Sequence, residues 1–253
     1  MKELKQIAPL PQPQQRQRSY SYSPYHRAAE YVGIVSFFVL LGLMGHEAYA
    51  ALTTTMTAQA WWILGGGILG GVLAADFVSG LFHFLADNFG NEELPILGPN
   101  VIHPFREHHV DPKAMTKHDF VETNGNNCLI CVPVLIAFYT LLPLQANVWM
   151  VLFATFWVSL NLGVFMTNQI HKWAHIDDPP AWVASLQAWH LVLRPDHHEV
   201  HHTPPHKSYY CITTGWLNAP LAAIHFFPLL EKFLRRWTPI ARIDEPRRRR
   251  AAQ

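Results

Sequence analysis

Charge of either sign is scarce in this 253-residue chain. Lys and Arg number 19 against 18 Asp and Glu, a formal net charge of +1, and charged residues make up 15% of the whole. That balance gives no electrostatic footprint for nucleic acid. Cysteine is scarcer still: Cys128, Cys131 and Cys211 cannot pair completely, and the first two lie in an apolar run. A disulfide framework is excluded, and Cys128 and Cys131 read as small apolar-like residues inside a helix. There is no Gly-rich dinucleotide fingerprint, so a redox function would need electrons from outside. The first thirty residues are basic and rich in Pro and Gln, with no apolar core directly after the charges. This argues against a cleaved signal peptide, and residues 1–27 read as a solvated arm.

Apolar sequence is plentiful. Four stretches approach or reach the length of a membrane span: Tyr31 to Leu52, Trp61 to Ala86, Cys128 to Leu144 and Val148 to Met166. A bilayer core about 30 Å thick needs about 20 helical residues, so the third must borrow flanking residues or sit in a thinner membrane. Gly66 with Gly70, and Gly67 with Gly71, follow a small-xxx-small spacing that allows another helix to approach closely. All 19 Lys and Arg fall in the N-terminal arm, between Asn88 and Asn127, or after Met166. By the positive-inside rule both termini and the central loop are then cytoplasmic. The expected organisation is a cytoplasmic arm over residues 1–27, a membrane domain over 28–237 and a basic tail over 238–253.

Histidine is the compositional outlier, with 16 residues. It binds metals well and titrates near neutrality, and is otherwise used sparingly. All but His26 and His46 fall on the cytoplasmic side of this topology or at the cytoplasmic ends of spans. His171 and His175 are four apart, on one face of a continuous helix. His108 with His109, and the run from His197 to His202, add two paired boxes, and His83 ends the second span. Eight or more imidazoles spread over four segments exceed the four ligands of one zinc and point to two metals. Imidazole suits iron, zinc and copper alike, so ligand type alone does not choose. The analogy with di-iron proteins, which build their site between four helices, favours iron. The expected ligands are His83, His108, His109, His171, His175, His198, His201 and His202. Asp76, His83 and Asp87 share one helical stripe, and an intramembrane Asp is costly unless used. Asp87 can ligate or can orient His83 through its second ring nitrogen, and the latter is favoured.

Other histidines read more plainly. His46 beside Glu47 is an interfacial polar pair, while His190 and His225 are packed and hydrogen-bonded. His103 stands evenly between surface loop and ligand. The segment from Trp216 to Trp237 mixes apolar and basic residues as an amphipathic cap on the membrane, with Pro220 and Pro228 breaking it into short pieces.

Five stretches, ADFVSGLFH (75–83), PFREHH (104–109), HDFVETNG (118–125), TNQIHKWAH (167–175) and His197 to Asn218, resemble the plasmanylethanolamine desaturase family. That family takes in CarF-like bacterial proteins and the plant chloroplast desaturase acting on phosphatidylglycerol. The resemblance runs from about Trp61 to Trp237. It implies an all-α integral membrane protein, four transmembrane helices with a cytoplasmic His-rich di-iron cap. The implied activity is an O2-dependent oxidoreductase that converts the 1-O-alkyl chain of an ether phospholipid to the vinyl ether of a plasmalogen. Two Fe ions, dioxygen and an external donor such as cytochrome b5 or ferredoxin follow from it. Asp87, His118 and His197 are the catalytic candidates beyond the ligands, and Asn168, Arg194 and Lys207 the candidates for holding the headgroup. Two rivals stay open: an acyl-chain desaturase or hydroxylase, and a histidine-rich metal transporter or sensor. A transporter would be expected to place its polar ligands near the bilayer midplane.

Overall fold

The computed structural model describes residues 23–54, 57–95, 97–141 and 147–237. Among them are nine α-helices and no strand: α1 Pro24–Thr54, α2 Ala58–Asn88, α3 His103–His108, α4 Phe120–Leu141, α5 Val148–Ala174, α6 Ala181–Ala188, α7 Pro195–His202, α8 Asn218–Ala223 and α9 Phe226–Trp237. Four of these, α1, α2, α4 and α5, are long and apolar enough to cross a membrane. The 31 residues of α2 extend about 46 Å at 1.5 Å per residue, more than a bilayer core of about 30 Å. Its last turns therefore have room to stand clear of the hydrocarbon.

Polar side chains start these helices. Thr57 accepts from the Ala60 amide to cap α2, and Asn147 accepts from the Met150 amide to cap α5. Asp119 accepts from the amides of Val121 and Glu122 at the start of α4 and takes a two-pronged pair with Arg27, at 2.9 and 2.6 Å. Here the structure corrects two expected boundaries. Helix α4 begins at Phe120 rather than Cys128, absorbing the polar run that the sequence assigns to a loop. Polar groups of this run bond across to α5: Asn127 donates to the Val164 carbonyl, Asn124 to Gln169, and Asn168 to the Thr123 carbonyl and Asn127. Similarly, α1 starts at Pro24, inside the 1–27 arm. The remainder of the arm and the tail over 238–253 lie outside the described residues.

Packing follows the small residues. A Cβ added at Gly71 would meet the Phe156 carbonyl, and one at Gly67 would meet Thr155, so α2 lies backbone-close along α5. Gly66 has open space, so the other register is not used in full. Cys128 and Cys131 are buried with Phe37, Leu135 and Phe165 between α1, α4 and α5, the packing role expected of them. Pro220 and Pro228 each fall in the first turn of α8 and α9, where the missing N–H costs nothing. The break comes instead between them, at His225, whose φ is +53°. Phe227 of α9 packs on Phe84 of α2 and on Tyr210.

Candidate metal centre

The end of the bundle where α2 and α5 finish and α4 begins gathers the histidines. His83 and Asp87 occupy the last turns of α2, and His171 the last turn of α5, with His175 as its C-cap. Pro195 opens α7, on which His198, His201 and His202 share one face through i, i+3, i+4 spacing. His108 ends α3 and His109 caps it.

These side chains sort into two adjoining groups. In the first, His108, His171, His175, His198 and His202 each present a ring nitrogen within 4.8 Å of all the others. His171 Nε2 lies 2.8 Å from His198 Nε2, and His202 Nε2 lies 3.0 Å from His198 Nε2 and 3.1 Å from His108 Nε2. A neutral imidazole carries one proton, so no arrangement of single protons makes all three of these contacts hydrogen bonds. In the second, Asp87 Oδ2 lies 3.1 Å from His109 Nε2, 3.4 Å from His83 Nε2 and 3.5 Å from His201 Nε2. The two groups touch: the rings of His201 and His202 are 5.7 Å apart and those of His108 and His109 6.1 Å.

The donor atoms fit metal ions. Two nitrogens about 2.1 Å from one ion and at right angles to each other stand about 3.0 Å apart, the spacing of the close pairs here. His83 Nε2, His201 Nε2 and His175 Nε2 are buried without a hydrogen-bond partner. The rings of His83 and His201 are fixed from behind: His83 Nδ1 donates to the Tyr210 carbonyl at 3.1 Å and His201 Nδ1 to the Ser208 carbonyl at 2.8 Å, which leaves each Nε2 lone pair facing inward. Burial, reinforced by neighbouring imidazoles, pushes the His202 pKa down to about 3 and that of His175 to about 4, and holds His198 and His108 well below the ordinary value. Neutral imidazole is the form that ligates.

All eight histidines expected as ligands thus lie in the two groups, and Asp87 joins them. Its carboxylate meets the inward-facing Nε2 side of His83, while Nδ1 is taken by a main-chain carbonyl, a geometry that sets Asp87 beside the candidate donors rather than behind the His83 ring. His118 and His197 stand apart from both groups. His118 is exposed beside Glu122, its carbonyl accepting from Lys172. His197 points to the other side of α7, against Asn218 Nδ2 and the Tyr209 ring. The headgroup candidates do not converge either: Asn168 is spent on the contact between α4 and α5, Lys207 lies near Glu231, and Arg194 lines a cavity on α7. His103 is paired with Glu92 and Glu107.

Sequence reasoning missed the segment that holds the rings. Residues 208–217 run back against α2 without regular structure. Buried Asp76 accepts from the amides of Thr214 and Gly215 at 2.8 Å each and Leu217 at 3.0 Å, and Ser79 accepts from Ile212. Asn218 bonds both the amide and the carbonyl of Cys211. An Asp in an apolar run signals a costly group with a use; its partners, far along the chain, leave no local trace. A cavity of about 660 Å³, with Lys113, Asp177 and Glu199 in its wall, opens onto His175 from outside.

A family model for the lipid desaturase domain matches residues 72–244, a span that includes every member of both groups. The chain belongs to the lipid desaturase family. It is similar to the plasmanylethanolamine desaturase of Myxococcus xanthus, 50% identical over 212 residues that take in 84% of this chain and 73% of that protein. Plasmanylethanolamine desaturase 1 of Mus musculus is 47% identical over 172 residues, 66% of this chain and 64% of the mouse protein. A chloroplastic fatty acid desaturase 4 of Arabidopsis thaliana is 29% identical over 211 residues, 81% of this chain and 60% of the plant protein. No solved structure matches. Members of the family are oxidoreductases, and a cluster of metal-binding histidines suits that chemistry.

Proposed function

We propose that this chain is a plasmanylethanolamine desaturase, which introduces the vinyl-ether double bond into the 1-O-alkyl chain of an ether phospholipid. The observation that carries the reading is the pair of adjoining donor groups at one end of four membrane-length helices, in a chain half identical to a protein bearing that name. Two iron ions held there would supply the activation of dioxygen that removal of hydrogen from an unactivated carbon requires. His108, His171, His175, His198 and His202 would hold one, and His83, Asp87, His109 and His201 the other. The overall change takes two hydrogens from the first two carbons of the alkyl chain. Those two hydrogens, together with two electrons from the donor and two protons, reduce dioxygen to two waters.

The chain's own contribution is positioning and exclusion of water. The carbonyls of Tyr210 and Ser208 keep His83 and His201 in one tautomer, and burial keeps His198 and His202 of α7 neutral and ready to ligate. Phe105, its ring 5.1 Å from that of His83, covers the second group on one side. Basic residues cluster at this end of the helices, which supports a topology with both termini and the metal centre on the cytoplasmic side. An electron donor such as cytochrome b5 or a ferredoxin then approaches from the cytoplasm, the cavity onto His175 being the open side of the first group.

The test is expression in a host lacking plasmalogens, supplied with a 1-O-alkylglycerol precursor. Acid-labile vinyl ethers are expected, with about two iron atoms per purified chain. New double bonds in acyl chains alone would replace this reading with that of an acyl desaturase, and a single exchangeable zinc with no lipid product would favour the transporter or sensor.

A further inference from the structure

Helix α7 has two working faces. His198, His201 and His202 point into the metal centre, while His197 and Val200 line a separate cavity of about 440 Å³ on the opposite side. That volume is within the range of small-molecule sites, about 300–1,000 Å³. The cavity is built rather than incidental. His190 and Gly215 hold its wall with φ of +59° and +75°. At Gly215 a Cβ would lie 2.8 Å from the His197 ring, so only glycine leaves the floor open. The Trp216 indole N–H donates to the His190 carbonyl at 2.6 Å, which fixes the ring plane. Exposed Val200 and Trp216 line the cavity, and exposed Trp189 and Leu191 flank His190 of its wall in the chain, apolar and aromatic groups of the sort found where a protein meets the headgroup layer.

Its charge is balanced. Arg194 Nε and Nη2 donate to the two Asp196 oxygens at 2.8 and 2.6 Å, and Nη1 meets His190 Nε2 at 2.6 Å. Three of the five guanidinium N–H donors are engaged in these bonds. A cation and an anion side by side, with aromatic faces adjacent, suit a ligand that carries both charges and disfavour one that is only negative.

We propose that this cavity receives the zwitterionic phosphoethanolamine headgroup of the lipid substrate, with Arg194 at the phosphate and Asp196, Trp216 and Tyr209 around the ammonium. The assignment rests on the desaturase reading and adds to it the residues that read the headgroup. The lipid then straddles α7, its headgroup on the outer face and its ether chain toward the inner one.

The experiment pairs turnover with binding. Full-length protein in detergent is offered 1-O-alkyl lipids bearing phosphoethanolamine, or phosphate alone, and lipid retention is followed by native mass spectrometry. Asp196→Asn is expected to weaken retention and raise KM for the phosphoethanolamine lipid on the order of tenfold, with the phosphate lipid unchanged or improved. Arg194→Gln weakens both, and Arg194→Lys recovers part of the loss. Metal content equal to wild type shows that each variant is folded. Glycerophosphoethanolamine should compete for the cavity and inorganic phosphate should not, which separates a headgroup site from a general phosphate site. Unchanged headgroup ranking in both Asp196→Asn and Arg194→Lys, or competition by inorganic phosphate as strong as by glycerophosphoethanolamine, overturns the proposal. Headgroup-selective retention without vinyl-ether product would instead defeat the desaturase reading and leave the cavity assignment standing.

Discussion

Replacing Asp76 by Ala tests how the metal centre is held. The side chain is fully buried, and its two oxygens accept from three main-chain amides, those of Thr214, Gly215 and Leu217. A buried donor left without a partner costs about 1–3 kcal/mol, so three together cost about 3–9 kcal/mol. Whole domains are stable by only about 5–15 kcal/mol, and the segment from Ser208 to Asn218 is expected to leave its place against α2 in the variant. With it go the Tyr210 and Ser208 carbonyls that orient His83 and His201, so the second donor group fails before the first. Asp76→Asn keeps one acceptor oxygen for Thr214 and Gly215 and loses the Leu217 bond, a cost of about 1–3 kcal/mol. The assay is metal per chain by elemental analysis, together with the thermal midpoint in detergent. The Ala variant should lose about half of its metal or more and the Asn variant should lie between it and wild type. An Ala variant with wild-type metal and midpoint would refute the reasoning, because the three amides would then have found other partners at no cost.

Three further expectations follow from the geometry. His198→Ala and His83→Ala should each lower metal content and product at least 10- to 100-fold, whereas His118→Ala, exposed and outside both groups, should stay within about twofold; a dead His118→Ala with intact metal would return that residue to the chemistry. In the metal-free protein, His202 and His175 have pKa values pushed down to about 3 and about 4 by burial, from an ordinary 6.5. The unfolded chain therefore takes up protons first, so their contribution is fully present above about pH 6.5 and is lost as pH falls toward 3; denaturant midpoints flat between pH 7 and 4 would contradict this. Gly71→Val should cost about 1–3 kcal/mol or more by driving a side chain into the Phe156 carbonyl, while Gly66→Val, in open space, should leave the thermal midpoint nearly unchanged.

Four membrane-length helices were legible from apolar run length, because a helix that must cross hydrocarbon declares itself locally. The eight histidines were legible too, since three boxes and His83 at one end of such helices have few other uses. The start of α4 was not: Glu122 to Asn127 is polar by composition, and only the facing carbonyl of Val164 and the Gln169 side chain turn that run into a helix surface that packs. Nor was the contact of Asp87, because a spacing of four places it beside His83 without saying which ring nitrogen it meets.

What the sequence by itself determined is the inventory: the spans, the donor types, and the end of the bundle at which they gather, all set by properties of segments a few turns long. Only the tertiary structure decided the division of the donors into five and four, the exclusion of His118 and His197, and the clasp of Asp76 on a segment about 140 residues away. Those depend on which side of a helix faces which neighbour across long loops, and convergence of that kind is a property of the packed chain, with no counterpart in local periodicity.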